Sequence, residues 1–306
     1  MSTKRLAIGF LTAFVLTLSF GACKKESKAP GSAGSVTAVT PAVVDSVPSE
    51  DGDMIYYDVR GQGDKALVFV HCWSCDRTYW RNQVDEFARD YRVVTIDLGG
   101  HGQSGTTRKN WTMAAFGADV AAVANKLDLQ NMILIGHSMG GPVIIEAARR
   151  LPGRVVALIG IDNFQDLGEV YTPNQVRDYI LQFQPEFKKI ADRFVRSMFP
   201  PTADTALVDR IADDMSSAPP DIALSAIYET MIYDYRKALA DVRLPIRTIS
   251  SDKYPTFVEA NNKIAASFAV RIMPGCGHFP HLEDPAKFNR LLHETIEEFW
   301  PGPSTR

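Results

Sequence analysis

The chain has 306 residues, 45% of them apolar, and a formal net charge of −3, enough length and apolar content to bury a sizeable core. Apart from a few lysines near the start it carries no basic block, which argues against nucleic acid as a partner.

Lys4 and Arg5 precede an apolar run from Leu6 to Phe20, of signal-peptide length and short for a membrane span. Phe20-Gly21-Ala22-Cys23 then resembles a bacterial lipobox. The resemblance implies a signal peptide over residues 1–22 and lipidation of Cys23. Ordinary signal-peptidase cleavage after Ala22, giving a soluble periplasmic or secreted protein, is the alternative. Lys24, rather than aspartate, follows the cysteine, which does not favour inner-membrane retention, so the expectation is an exported lipoprotein, periplasmic or anchored to the outer membrane. Residues 23–48 are rich in Ser, Ala, Gly, Pro and Lys without helical or strand period and read as a flexible tether.

From residue 49 short β-type runs alternate with helical stretches, which predicts an α/β fold with a mostly parallel sheet and helices on both faces. Residues 54–59 read as a strand, followed by a turn at Gly61-Gln62-Gly63. Residues 66–71 are nearly all apolar, as a strand buried on both faces should be. A helix over 78–90 and a strand over 92–96 lead into Asp97-Leu98-Gly99-Gly100-His101-Gly102-Gln103-Ser104. A helix over 111–127, a strand over 132–135, a helix over 142–150 and a strand over 155–161 follow. Residues 163–241 then lack strand-like runs, carry apolar residues at helical spacing and many aromatics, and read as a helical lid. Alternation resumes with strands at 246–250 and 269–273 and helices at 257–266 and 285–300, so that 49–162 and 242–306 form the core.

Between the strand at 132–135 and its helix lies Gly136-His137-Ser138-Met139-Gly140-Gly141. G-x-S-x-G in strand–turn–helix context is a nucleophile elbow, a sharp turn that exposes the serine hydroxyl above the sheet. No G-x-x-x-x-G-K-[ST] is present, so a phosphate loop is not the reading. Cys72-Trp73-Ser74-Cys75 has C-x-x-C spacing, but no second pair completes a zinc set and no redox-domain sequence surrounds it. With Cys276 these cysteines read as small buried residues with at most one bridge, leaving at least one thiol free. No metal and no cofactor is expected.

Taken in order, His71-Cys72-Trp73, the 97–104 loop, the elbow and Pro274-Gly275-Cys276-Gly277-His278-Phe279-Pro280-His281-Leu282-Glu283 resemble the α/β-hydrolases of the capped type over roughly residues 51–300. The resemblance implies Ser138 as nucleophile and His278 as the base that takes its proton. It implies an oxyanion hole built from the backbone N–H groups of Met139 and Trp73. Cys72 stands where the family has glycine, a departure that tightens this loop. His101 and His281 read as structural, and His137 should point away from the pocket mouth. Asp97 and the glycines after it read as loop support. The usual position of the triad acid holds Tyr254-Pro255, with Asp252 two residues early. Asp162, at the end of the strand after the elbow helix, is the favoured acid, with Asp252 as the alternative.

The expected activity is a serine hydrolase that cleaves a carboxylic ester or related acyl compound through an acyl-enzyme. The alternatives are perhydrolase or haloperoxidase-like chemistry, carbon–carbon bond hydrolysis or acyl transfer on the same triad, and a non-catalytic ligand-binding protein on this scaffold. The expected partners are a small acyl substrate and, through Cys23, a membrane. Oligomeric state, acyl-chain preference and substrate identity are left open.

Overall fold

The computed structural model describes residues 43–301. The signal peptide, Cys23 and the tether up to residue 42 lie outside the described residues. The end of the expected tether is corrected: β1 (Val43–Pro48) is a strand, paired antiparallel with β2 (Met54–Arg60) from Val43 opposite Val59 to Pro48 opposite Met54. β1 is an exposed sheet edge, so it lacks the buried apolar face by which a strand announces itself in sequence. Pro48, with no N–H to donate, is tolerated at such an edge.

The sheet continues with β3 (Lys65–Val70), β4 (Arg92–Ile96), β5 (Asn131–His137), β6 (Val155–Ile161), β7 (Pro245–Ser251) and β8 (Ser267–Met273), in the order β1-β2-β4-β3-β5-β6-β7-β8. β2 pairs antiparallel with β4, and from β4 onward every neighbouring pair is parallel. The helices are α1 (Arg81–Phe87), α2 (Met113–Lys126), α3 (Gly140–Arg150), α4 (Pro173–Ile180), α5 (Phe187–Ser197), α6 (Thr205–Ser216), α7 (Pro220–Met231), α8 (Tyr235–Ala240), α9 (Val258–Asn261), α10 (Pro280–Glu283) and α11 (Pro285–Glu297). Alternation along β3 divides the core in two. Val68 and Val70 join Phe116 and Val120 of α2 and Ile144 of α3, whereas Leu67 and Phe69 join Phe87 of α1 and Phe288, Leu292 and Ile296 of α11. Helices therefore cover both faces, and the central strands read as unbroken apolar runs.

Between β6 and β7 the chain leaves the sheet for α4 to α8, and no strand occurs there among the described residues. Thr172, Asp204 and Asp234 accept backbone N–H groups at the starts of α4, α6 and α8, satisfying donors that a helix start leaves free. The helix expected at 257–266 is shorter than its pattern. Asn261 accepts the Leu167 N–H at 2.8 Å and donates to Phe164 O at 2.8 Å, and Asn262 accepts the Phe268 N–H at 2.8 Å. These side-chain bonds replace further helical turns.

Candidate active site

β5 ends in the elbow. Ser138 has φ 52°, a left-handed conformation that is uncommon for a residue with a side chain and costs about 1–3 kcal/mol, supplied by the surrounding structure. Its N–H donates to Ile161 O at 3.0 Å and its carbonyl accepts from Gly141 at 2.9 Å. A Cβ at Gly136 would lie 2.3 Å from Gly140 O, and one at Gly140 would lie 2.7 Å from Val70 O, so the glycines are required by how closely strand and helix pass. Asn163 fastens the turn to β6: its Nδ2 donates to Gly136 O at 2.9 Å and to Ser138 O at 3.1 Å. Nothing in the sequence marks Asn163 for this task except its position beside a strand end. Met139 stands at the N-terminus of α3, where backbone N–H groups lack helical partners.

His278 lies in the loop after β8. Its Nδ1 is 2.6 Å from Asp162 Oδ2. Asp162 directly follows β6 with φ 46°, and its Oδ1 accepts the Ser251 N–H at 2.8 Å and hydroxyl at 2.9 Å. Burial pushes the Asp162 carboxyl up, but hydrogen bonding and charge from His278, with the Ser251 bonds, outweigh it and hold the group below its ordinary value. Asp252 does not reach His278: it is exposed, and its Oδ1 accepts the Gly275 N–H at 3.0 Å.

Three groups hold the His278 backbone. Its N–H donates to Met198 O at 3.1 Å, and buried His137 donates from Nε2 to its carbonyl at 2.7 Å. Glu283 accepts the flanking N–H groups of Gly277 at 2.8 Å and Phe279 at 3.0 Å. Burial, with the neighbouring His281 and His278 charges, drives His137 well below the usual histidine range, so it stays neutral.

The loop after β3 carries Trp73, whose indole N–H donates to Ala223 O of α7 at 2.7 Å. Cys72 and Cys75 form a disulfide across it. His71 Nε2 accepts the Leu98 N–H at 3.0 Å, so its proton sits on Nδ1 and donates to Cys72 O at 2.8 Å. Burial pushes His71 down to about 4, which keeps it in that neutral form. Asp97 is fully buried. It accepts the Arg77 and Gln103 N–H groups at 2.8 and 2.9 Å and pairs with the Arg77 guanidinium, tying the 97–104 loop to the segment after β3.

Ser138, Met139, His278, Cys72 and Trp73 line one cavity of about 80 Å³, roofed by Phe194, Met198, Met215, Ile227 and Thr230. The Thr230 hydroxyl donates back to Ala226 O at 2.8 Å, so the roof is apolar. A larger cleft of about 570 Å³ lies at the far end of α3 between Arg149, Arg150 and Arg243. An 11-residue helix separates it from Ser138 by about 16 Å, and it holds no nucleophile and base together. Among the described residues no group of three metal-binding side chains comes together.

The chain is 38% identical over 117 residues to a non-heme chloroperoxidase of Streptomyces lividans, covering 37% of this chain and 42% of that one. It is 33% identical over 169 residues to the dihydrolipoyllysine-residue acetyltransferase component of the acetoin cleaving system of Cupriavidus necator, covering 54% of this chain and 42% of that one. The matches thus span about two fifths of these curated relatives. A thermophilic esterase from Thermogutta terrifontis shares the fold with TM-score 0.71 at 22% identity, over 85% of this chain and 99% of that one. The profile of the alpha/beta hydrolase family matches residues 67–291, and this chain belongs to that family.

Proposed function

We propose that the protein is a serine hydrolase acting on a small, uncharged carboxylic ester or related acyl compound through an acyl-enzyme. The observation that carries this reading is the pairing of His278 Nδ1 with Asp162 at 2.6 Å, in a cavity that His278 shares with Ser138. With the Asp162 carboxylate accepting Nδ1–H, Nε2 is the free basic nitrogen. It takes the Ser138 proton as Oγ adds to the substrate carbonyl. The carbonyl oxygen gains the negative charge and is held by the N–H groups of Trp73 and Met139. Collapse of the intermediate breaks the ester C–O bond, and imidazolium Nε2 protonates the departing alcohol. Water then adds to the acyl-enzyme by the same steps in reverse and frees Ser138. The helices between β6 and β7 act as a lid that shields the reaction from bulk water.

The likeness to the chloroperoxidase favours a second reading, in which hydrogen peroxide replaces water at the acyl-enzyme and the product is a peracid. Export and lipid attachment at Cys23 belong to the same proposal and rest on the sequence of residues 1–23.

The test is turnover of p-nitrophenyl acetate, with fluorophosphonate labelling, by the native protein and Ser138→Ala. The native protein should turn over and be labelled, and the variant should lose at least about a thousandfold in kcat and all labelling. Equal turnover by both refutes the reading. Peracid formed with peroxide in place of free acid moves the assignment to the second reaction.

A further inference from the structure

We propose that the Cys72–Cys75 disulfide is a positioning element of the oxyanion hole, and that the enzyme reaches its full rate only with this bridge closed. The inference rests on the reading of Ser138, Met139 and Trp73 given above and adds the regulation of that site.

The peptide that carries the Trp73 N–H joins Cys72 to Trp73, inside the ring that the bridge closes over a sequence separation of three. A trans peptide points its C=O and N–H in opposite directions. The Cys72 carbonyl is turned to the His71 Nδ1–H at 2.8 Å, so the orientation of that carbonyl sets the direction of the donor. The Trp73 indole is held from above by Ala223 O at 2.7 Å, but the restraints on the Ser74–Cys75 side of the loop are weak. The Cys75 N–H reaches Cys72 O only at 3.3 Å. Ser74 sits at φ 54°, unfavourable for a residue with a Cβ, and its buried hydroxyl has no hydrogen-bond partner. A loop in this state relaxes unless its ends are tied together, and the bridge is the tie. The Cα atoms stand 5.4 Å apart, within the ordinary span of a disulfide.

Both cysteines are buried, but Cys72 lines the cavity that holds Ser138, so the substrate path is also the reductant's path. Opening the bridge takes a dithiol: the S–S bond breaks, two electrons and two protons pass to Cys72 and Cys75, and the dithiol closes to its own disulfide. The third described cysteine, Cys276, is a poor exchange partner, because burial first, with nearby carboxylates, pushes its thiol up to about 11 and leaves little thiolate at neutral pH.

The experiment compares kcat and KM for p-nitrophenyl acetate in the oxidised protein, in protein treated with dithiothreitol until two further thiols per chain titrate, and in Cys75→Ala and Cys75→Ser. Losing one oxyanion donor outright costs about 10²–10³ in rate, so displacing it should lower kcat by about tenfold to a hundredfold with KM changed less than about threefold. A trifluoromethyl ketone, whose Ser138 adduct places an oxyanion in the hole, should lose affinity in parallel with kcat. The Cys75 variants should match the reduced protein and be indifferent to dithiothreitol. Reduced protein or folded Cys75 variants with the kcat of the oxidised enzyme overturn the proposal while leaving the serine hydrolase reading intact. Absence of Ser138-dependent turnover in the oxidised protein instead overturns that reading.

Discussion

Replacing Asp162 with asparagine asks the sharpest question of this site. The carboxylate serves two directions at once: Oδ1 accepts two donors from Ser251, and Oδ2 accepts His278 Nδ1–H at 2.6 Å. Asparagine keeps the shape but has one acceptor oxygen. Ser251 presents two donors at 2.8 and 2.9 Å, so the amide oxygen stays there and the NH₂ faces the imidazole. The amide then donates to Nδ1, the ring proton moves to Nε2, and the nitrogen that receives the Ser138 proton in the proposed mechanism is occupied. In Ser-His-Asp enzymes this wrong tautomer costs about 10⁴ in kcat, or about 5 kcal/mol of transition-state stabilisation. Asp252→Asn is the control, because its exposed side chain accepts only the Gly275 N–H at 3.0 Å and an amide oxygen accepts it equally well. The assay is kcat on p-nitrophenyl acetate for the native protein and both variants, each checked for a cooperative thermal transition. We expect about 10⁴-fold loss for Asp162→Asn and less than about twofold for Asp252→Asn. More than a tenth of native activity in Asp162→Asn, or a larger loss in Asp252→Asn, refutes the reasoning.

Acid should unfold the protein early. Burial pushes His71, His101 and His281 down to about 4, about 3 and about 3. They are neutral in the folded state, while the unfolded chain binds their protons from about pH 6.5 downward. Stability is therefore full above about pH 6.5 and falls toward pH 4, by about 1.4 kcal/mol per pH unit for each histidine, a large slope against a total of about 5–15 kcal/mol. Urea midpoints at pH 7, 6 and 5 should fall steadily, and a flat series contradicts the burial of these rings. Acyl-chain preference should be short. A cavity of about 80 Å³ is far below the roughly 300–1,000 Å³ of ordinary ligand pockets, so kcat/KM on p-nitrophenyl esters should be highest for acetyl or propionyl and fall beyond butyryl. Phe194→Ala, which removes part of the roof, should raise the hexanoate-to-acetate ratio about tenfold or more; an unchanged ratio places the acyl group elsewhere.

Where apolar burial decides, the sequence and the structure agree closely. Residues 92–96 and 155–161 read as strands and are strands, because both faces of each are covered and most of their residues are buried and apolar. β1 carries little sequence signal because an exposed edge strand is held mainly by backbone pairing, with only Val47 packed against the core, and α9 is shorter than its pattern because Asn261 and Asn262 bond outward. At the site, the elbow and the Gly-Cys-Gly-His turn are local motifs legible by spacing. The choice between Asp162 and Asp252 is not local. It depends on β6 lying beside β7, where the Asp162 N–H donates to Ile249 O at 2.9 Å and the carboxylate is turned toward Ser251. Asn163 carries no signal in sequence, since both of its acceptors are main-chain carbonyls and any residue type can supply those.

The indole of Trp73 ends on a main-chain carbonyl of α7. A carbonyl persists whatever side chain stands at position 223, so the helices above the pocket are free to diverge in sequence without severing this latch. The latch also joins two events that are otherwise separate. If α7 withdraws beyond hydrogen-bonding range, about 3.5 Å, it releases the residue to which the proposed mechanism gives an oxyanion donor. Under the proposed mechanism, admitting a substrate and arming the catalyst become one mechanical stroke.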